Sequence, residues 1–232
     1  ALESEGHSVV RDIATTYLDS SAPIDARWQS ICRRYAEYSE ADSNLDARLP
    51  WERLLEAVPN DPAALMALLR LDAFSDNPGR EVDAWTVVIR ERGAHLVAEE
   101  YVRAGALAIA HGDMVDTAVS WLRSAFSLHK SWETAEPFLG ALRAADDRVE
   151  ESQVLNTVVQ SRSMIGPASV YLRLAELSED PADGRRWLCR GLAKHPDDTI
   201  FGGRYEERVE EPPEYQAGIK AWSKAATQAG DE

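Results

Sequence analysis

The sequence is short of lysine. Of its 25 basic residues only 4 are Lys, against 40 acids, and the formal net charge is −15. An acidic surface repels phosphates, which argues against nucleic acid and against anionic membranes as partners. It favours solubility or a basic partner. Cysteine is scarce as well. Cys32 and Cys189 lie far apart within helical patterns, which excludes a disulfide framework and a Cys-built metal site. They read as reduced core thiols of a cytoplasmic protein. No apolar run approaches the ~18 residues of a membrane span, so no membrane insertion is expected. No signal peptide is visible. The chain opens on Ala1 rather than Met and reads as an excised domain or a processed product, so missing targeting signals carry little weight. No segment alternates at period two, which excludes a sheet.

Chemistry-bearing patterns are missing too. There is no phosphate-binding G-x-x-x-x-G-K-S/T, no G-x-G-x-x-G, no H-E-x-x-H and no G-x-S-x-G. The histidines His7, His95, His111, His129 and His195 are dispersed. His111 reads as part of a helix end. Glu99-Glu100 and Glu206-Glu207 read as solvated carboxylates, and Gly202-Gly203-Arg204 as a loop. No catalytic residue, metal or cofactor is assigned, and the expectation is a protein that is not an enzyme.

What the chain does contain is helical periodicity. Residues 98–130 carry the strongest signal. Tyr101, Ala104, Gly105 and Ala108 make a small-residue stripe, His111-Gly112-Asp113 breaks it, and Met114, Ala118, Leu122 and Phe126 then recur every four residues. Such spacing places apolar groups on one helical face. Gly105 inside a helix costs about 1 kcal/mol against Ala, which calls for a second helix packed close over it. Similar segments are expected at 5–18, 23–40, 45–58, 62–74, 80–92, 132–145, 148–160, 168–179, 182–194 and 215–228, giving about 12 or 13 helices. Asp61-Pro62, Asp180-Pro181 and Ser131 supply caps and first-turn prolines. Gly93 reads as a helix stop. Pro50 is expected to delay its helix, and Pro137 to interrupt one.

Two ladders run through these helices. Tyr17, Trp51, Trp85, Trp121, Leu155, Trp187 and Trp222 recur in alternate helices, and Leu69, Gly105, Gly140 and Ala175 recur in the middle of the others. The first ladder reads as core packing, with Trp85, Trp121 and Trp187 mostly buried and Trp28 outside it. A period near 35 residues in helix–turn–helix units resembles the tetratricopeptide repeat. Gly105, the Gly112-Asp113 turn, Ala118 and Ala125 fit that pattern best, and AVPNDPAAL (57–65) and AKHPDDT (193–199) resemble its junctions. Leu69 departs from it by replacing a small residue, and the unit around 168–195 is shortened. The resemblance implies an all-α, right-handed α-solenoid of about six antiparallel helix pairs in a single domain, 1–232. Within it, 1–44 is a degenerate N-terminal repeat or cap, 45–196 the best-defined repeats and 197–232 a degenerate C-terminal cap.

Stacked helix pairs leave a concave surface lined by their first helices. Phasing from the mid-helix ladder places Ala63, Met66, Arg70 and Phe74 there, then Glu99, Val102, Ala106 and Ile109, then Thr134, Ala141 and Ala145, then Leu172 and Glu176. This lining is mostly small and apolar, with Arg70 as its cation. The expectation is an interaction scaffold that binds a peptide or helix of a partner protein, with Arg70 pairing one acid. The alternative is an accessory repeat domain of a larger enzyme, such as a transferase. A homo-oligomer is compatible with either. The Glu-rich run from Glu206 to Glu214 is expected to be exposed. The high Arg-to-Lys ratio and many alanines point to a GC-rich bacterial source.

Overall fold

Short acidic and amide side chains, followed by proline, set where three of the described helices begin. In a computed structural model of the chain, residues 25–41, 47–111, 114–161, 164 and 166–195 are described. They form ten α-helices: α1 (Ala26–Ala41), α2 (Arg48–Ala57), α3 (Pro62–Arg70), α4 (Pro78–Arg92), α5 (Ala98–Ala110), α6 (Val115–Leu128), α7 (Trp132–Ala144), α8 (Arg148–Gln160), α9 (Ser169–Leu177) and α10 (Pro181–Lys194). No strand occurs among the described residues. The helices expected at 5–18 and 215–228, with Tyr17 and Trp222, lie outside them. So do the Gly112-Asp113 turn, Gly202-Gly203-Arg204 and the run from Glu206 to Glu214.

The carboxylate of Asp61 accepts the amides of Ala63 and Ala64 at 3.0 and 2.9 Å, with Pro62 at the first helical position. Asn77 caps α4 ahead of Pro78, and Asp180 caps α10 ahead of Pro181. Each cap satisfies amides that the first turn leaves without an intrahelical partner. At α7 the amide of Ser131 donates to Thr134 Oγ1 at 3.3 Å, while that hydroxyl donates to the His129 carbonyl at 2.6 Å. Two helices end on an aspartate in the left-handed region, Asp72 at φ 51° and Asp146 at φ 52°. Asp72 therefore stops α3 at Arg70, four residues before the expected Phe74.

The chain divides into two compact units, residues 1–97 and 98–232. In the first, α1 packs on α2, α2 on α3 and α3 on α4. All of Ala64–Leu69 is buried, so α3 is apolar all round and enclosed. In the second unit each helix from α5 to α10 packs on the next, and α5 also packs on α7. Its main core is built from Leu122, Phe126, Phe138, Leu139, Leu142, Val154, Leu155 and Leu174, among others. Helix pairs joined by short turns, repeated at about 35 residues, make an all-α helical-repeat fold.

Two expectations, for Trp28 and Pro137, need correcting. Trp28 is not peripheral: at 4 % exposure it is as buried as Trp121 at 7 %. Trp187 is less enclosed than Trp85 and Trp121 but still packs against the core, with the Arg190 guanidinium 4.9 Å from its ring centre. Pro137 does not interrupt α7; it removes one bond to the carbonyl of Glu133, and the helix runs on to Ala144. As expected, α4 stops at Arg92 with Gly93 as its C-cap; with φ −52° at Gly93, the chain tightens there into a 3-10 turn, Gly93–His95.

The mid-helix ladder is right at Gly105 and wrong at Gly140. A methyl group on Gly105 would lie 2.4 Å from Leu122 Cγ, so α6 does pack close over it. A methyl group on Gly140 would meet nothing within 4 Å. Gly140 is exposed and its neighbour Leu139 is 2 % exposed. The buried counterpart of Gly105 in α7 is therefore Leu139. Turning one residue along a helix rotates the face by about 100°.

Candidate functional site

That rotation decides where the expected site residues fall. In α5, Glu99 and Ala106 are exposed, and Val102 and Ile109 are half-buried with one side against the core. In α7, Thr134 and Ala141 are buried, at 4 % and 0 % exposure. They belong to the interior because their phase was counted from Gly140 instead of Leu139. Counted from Leu139, the exposed positions of α7 are Glu133, Glu136, Gly140 and Arg143, and all four are solvent-facing. In α9, Leu172 is half-buried and Glu176 exposed.

The first unit offers no such face at the expected positions. Met66 and Phe74 are buried, at 4 % and 5 % exposure. Met66 sits in the fully enclosed stretch of α3, and Phe74 lies in the turn after it beneath the Arg80 guanidinium, 5.1 Å from the ring centre. Arg70 is exposed and already engaged within the chain. It is a last-turn cation, favourable at a helix C-terminus.

What holds the second unit's face in shape was not legible from the sequence. Glu151 of α8 has a side chain only 1 % exposed. Arg143 of α7 donates to its Oε1 through Nε at 2.6 Å. Arg173 of α9 donates to it twice, Nε to Oε1 at 2.9 Å and Nη2 to Oε2 at 2.8 Å. Arg173 also reaches Glu176 at 3.1 Å. One buried carboxylate therefore ties α7 and α9 together through α8. Burial pushes its pKa up, but the hydrogen bonds from Arg173 and Arg143 outweigh burial and hold it below the ordinary carboxylate value. The same pairing, opposed by burial, pushes the Arg173 guanidinium pKa further up. Charged residues on a helix read by default as a solvated face. The available signal was the apolar phase of α8, since Glu151 falls three and four residues before Val154 and Leu155.

Val102, Ala106 and Ile109 on α5 and Gly140 on α7 put small and apolar residues at exposed or half-buried positions of two helices that pack together, and Leu172 is half-buried on α9. Elsewhere, a groove of about 380 Å³ in the first unit has Leu65, Leu68 and Phe74 beneath a rim that includes Arg48, Arg80 and Asp83. A second cavity of about 460 Å³ lies beside Met164, Tyr171 and His195. Burial pushes the Cys32 thiol up to about 11, only partly offset by the charge of Arg53, so it stays protonated at neutral pH. No group of three or more His, Cys, Asp or Glu that could hold a metal occurs among the described residues. No described helix is long and apolar enough to cross a membrane.

No family model and no curated protein matches the chain. Among solved structures it is similar to the MamA protein, at 14 % identity over 74 % of this chain and 94 % of that one, with a TM-score of 0.47. It is also similar to a thermophilic TPR protein of Thermus thermophilus, TTC0263, at 16 % identity over 78 % and 98 % of the two chains, with a TM-score of 0.37.

Proposed function

We propose that the second unit is a protein-docking module that takes a peptide or helix of a partner along the α5–α7–α9 face. The observation that supports this is the small and apolar lining. Ala106 and Gly140 are exposed on α5 and α7, which pack together, and Val102 and Ile109 on α5 and Leu172 on α9 are half-buried. Small side chains between larger apolar ones leave room for a partner's side chains. The Glu151 network keeps α7 and α9 in register, so the face is formed before binding and little ordering cost falls on this side.

The test is Ala106→Arg in the full chain. Ala106 is exposed, so melting should shift by no more than an ordinary surface change, about 0.5 kcal/mol. A partner captured by the unmodified chain should no longer be retained. Equal capture by the variant sinks the docking reading. Met66→Glu serves as the opposite control, since it loads a charge into an enclosed helix and should unfold the first unit.

A further inference from the structure

We propose that α9 and α10 form one body that opens away from α8 along the seam between α8 and α9, with the Glu151–Arg173 pair as the latch that holds it closed. The two helices are bound tightly to each other. Ala168, Tyr171, Ala175, Leu188 and Leu192 make a core of their own, separate from the main core of the second unit. Gly184 lets α10 seat directly on the α9 backbone: a methyl group there would lie 3.1 Å from the Ala175 carbonyl oxygen.

The seam with α8 is built differently. Val170 and Leu174 of α9 reach the main core, and Leu177 and Trp187 pack against it partly buried. Space opens at both ends of the seam. At one end a cleft of about 640 Å³ lies between Arg148, Val149 and Ser152 at the start of α8 and Glu176 and Leu177 at the end of α9. At the other end is the cavity of about 460 Å³ between Val158 and Ser161 on the α8 side and Tyr171 and His195 on the other. Side chains that line open space lack packing partners there, so less dispersion opposes separation. Arg173 stands at the edge of the larger cleft and holds both oxygens of Glu151, at 2.9 and 2.8 Å. A two-point, charge-assisted pair of this kind is strong and directional. Opening the seam breaks it and gives the buried carboxylate to water, while Arg143 keeps its own bond from α7. Proteins open locally in contiguous units of this size, at less cost than global unfolding.

The test is native-state hydrogen exchange of the full chain, read peptide by peptide. Amides of α9 and α10 should share one level of protection, about tenfold below that of α7 and α8. Arg173→Gln removes the latch and leaves Arg143 on Glu151. It should lower the protection of α9 and α10 together by about a further tenfold and leave α7 unchanged. Arg123→Gln is the matched control. It breaks the neighbouring pair on the same turn of α8, Arg123 Nε to Glu150 Oε1 at 2.7 Å, which runs to α6 instead. It should leave α9 and α10 as they are in the unmodified chain. Protection of α9 and α10 equal to that of α7 and α8 in the unmodified chain overturns the proposal. So does loss of protection in α9 without α10, because the two are then not one body. An equal effect of Arg123→Gln and Arg173→Gln on α9 and α10 overturns it as well, because the pair at Glu151 is then no latch.

Discussion

Helices α5 and α7 each carry a glycine near the middle, 35 residues apart, and the two glycines do opposite things. At Gly105 the chain gives up a side chain so that α6 can seat Leu122 against the backbone, where a methyl group would lie 2.4, 2.8 and 3.0 Å from the Leu122 branch. At Gly140 the side chain would point into open space. In α7 the buried position belongs to Leu139, one residue earlier. A repeat in residue type is therefore not a repeat in environment. The step between second helices was the better guide. Trp85 to Trp121 is 36 and Trp121 to Leu155 is 34. The buried first-helix positions follow the same steps, from Leu69 to Gly105 and then to Leu139.

The sharpest way to break this comparison is Leu139→Ala. If Leu139 fills the core of the second unit, its truncation should cost about 2–5 kcal/mol in chemical denaturation, as large-to-small core changes do. A cost below about 1 kcal/mol would show that α7 is phased on Gly140 after all.

Glu151 tests whether α7 and α9 are held by charge as well as by apolar contact. Glu151→Gln keeps the shape and removes the carboxylate. Arg143 and Arg173 stay half and one-third exposed and can be hydrated. The cost should then be about 1–3 kcal/mol, below that of breaking a fully enclosed pair. The carboxyl sits below its unfolded value of about 4.3, so its contribution is fully present above that value and is lost as pH falls through the folded one. The stability gap between wild type and Glu151→Gln should be constant above about pH 5 and close on further acidification. A gap that persists unchanged at about pH 3 contradicts the ion-pair account.

Local chemistry was legible in the sequence, and angular phase was legible only in part. Asp61-Pro62, Asp180-Pro181 and Ser131 announced helix starts because capping is decided within four residues. The described helices without a side-chain cap, such as α2, α6 and α9, were legible from apolar periodicity instead. Phase accumulates over a whole repeat, and one residue of error turns a face by about 100°. That error placed Thr134 and Ala141 on the surface and concealed Glu136. Trp28 was misjudged because its burial comes from neighbouring elements and not from its place in a ladder. Glu151 was missed because nothing local distinguishes a paired buried carboxylate from a solvated one; its partners lie 8 and 22 residues away.

Gly105→Ala separates propensity from packing on the close-packed side of the comparison. Alanine gains about 1 kcal/mol of intrinsic helix preference over glycine. Here the new methyl group must displace Leu122, which is fully buried and fixed by the core around it. Overpacking of that kind costs about 1–3 kcal/mol. The net should be a loss of about 1 kcal/mol, read as a lower denaturation midpoint at unchanged slope. A gain would mean that α6 yields easily and that Gly105 is not required by close approach.

Gly140→Ala is the smallest effect and the cleanest control, because here the two terms do not oppose each other. The added methyl group meets nothing within 4 Å, so there is no packing cost. Replacing glycine by alanine in a helix interior restricts the unfolded chain and favours the folded one. The variant should be more stable by about 0.5–1 kcal/mol, the reverse of the same substitution at Gly105. The methyl group would also stand on the floor of the docking face, beside the surface that Ala106 shares. A stabilised Gly140→Ala that retains the captured partner less well would place the ligand over α7. A destabilised one would mean that Gly140 approaches a neighbour, and the phase assigned to α7 from Leu139 would be wrong.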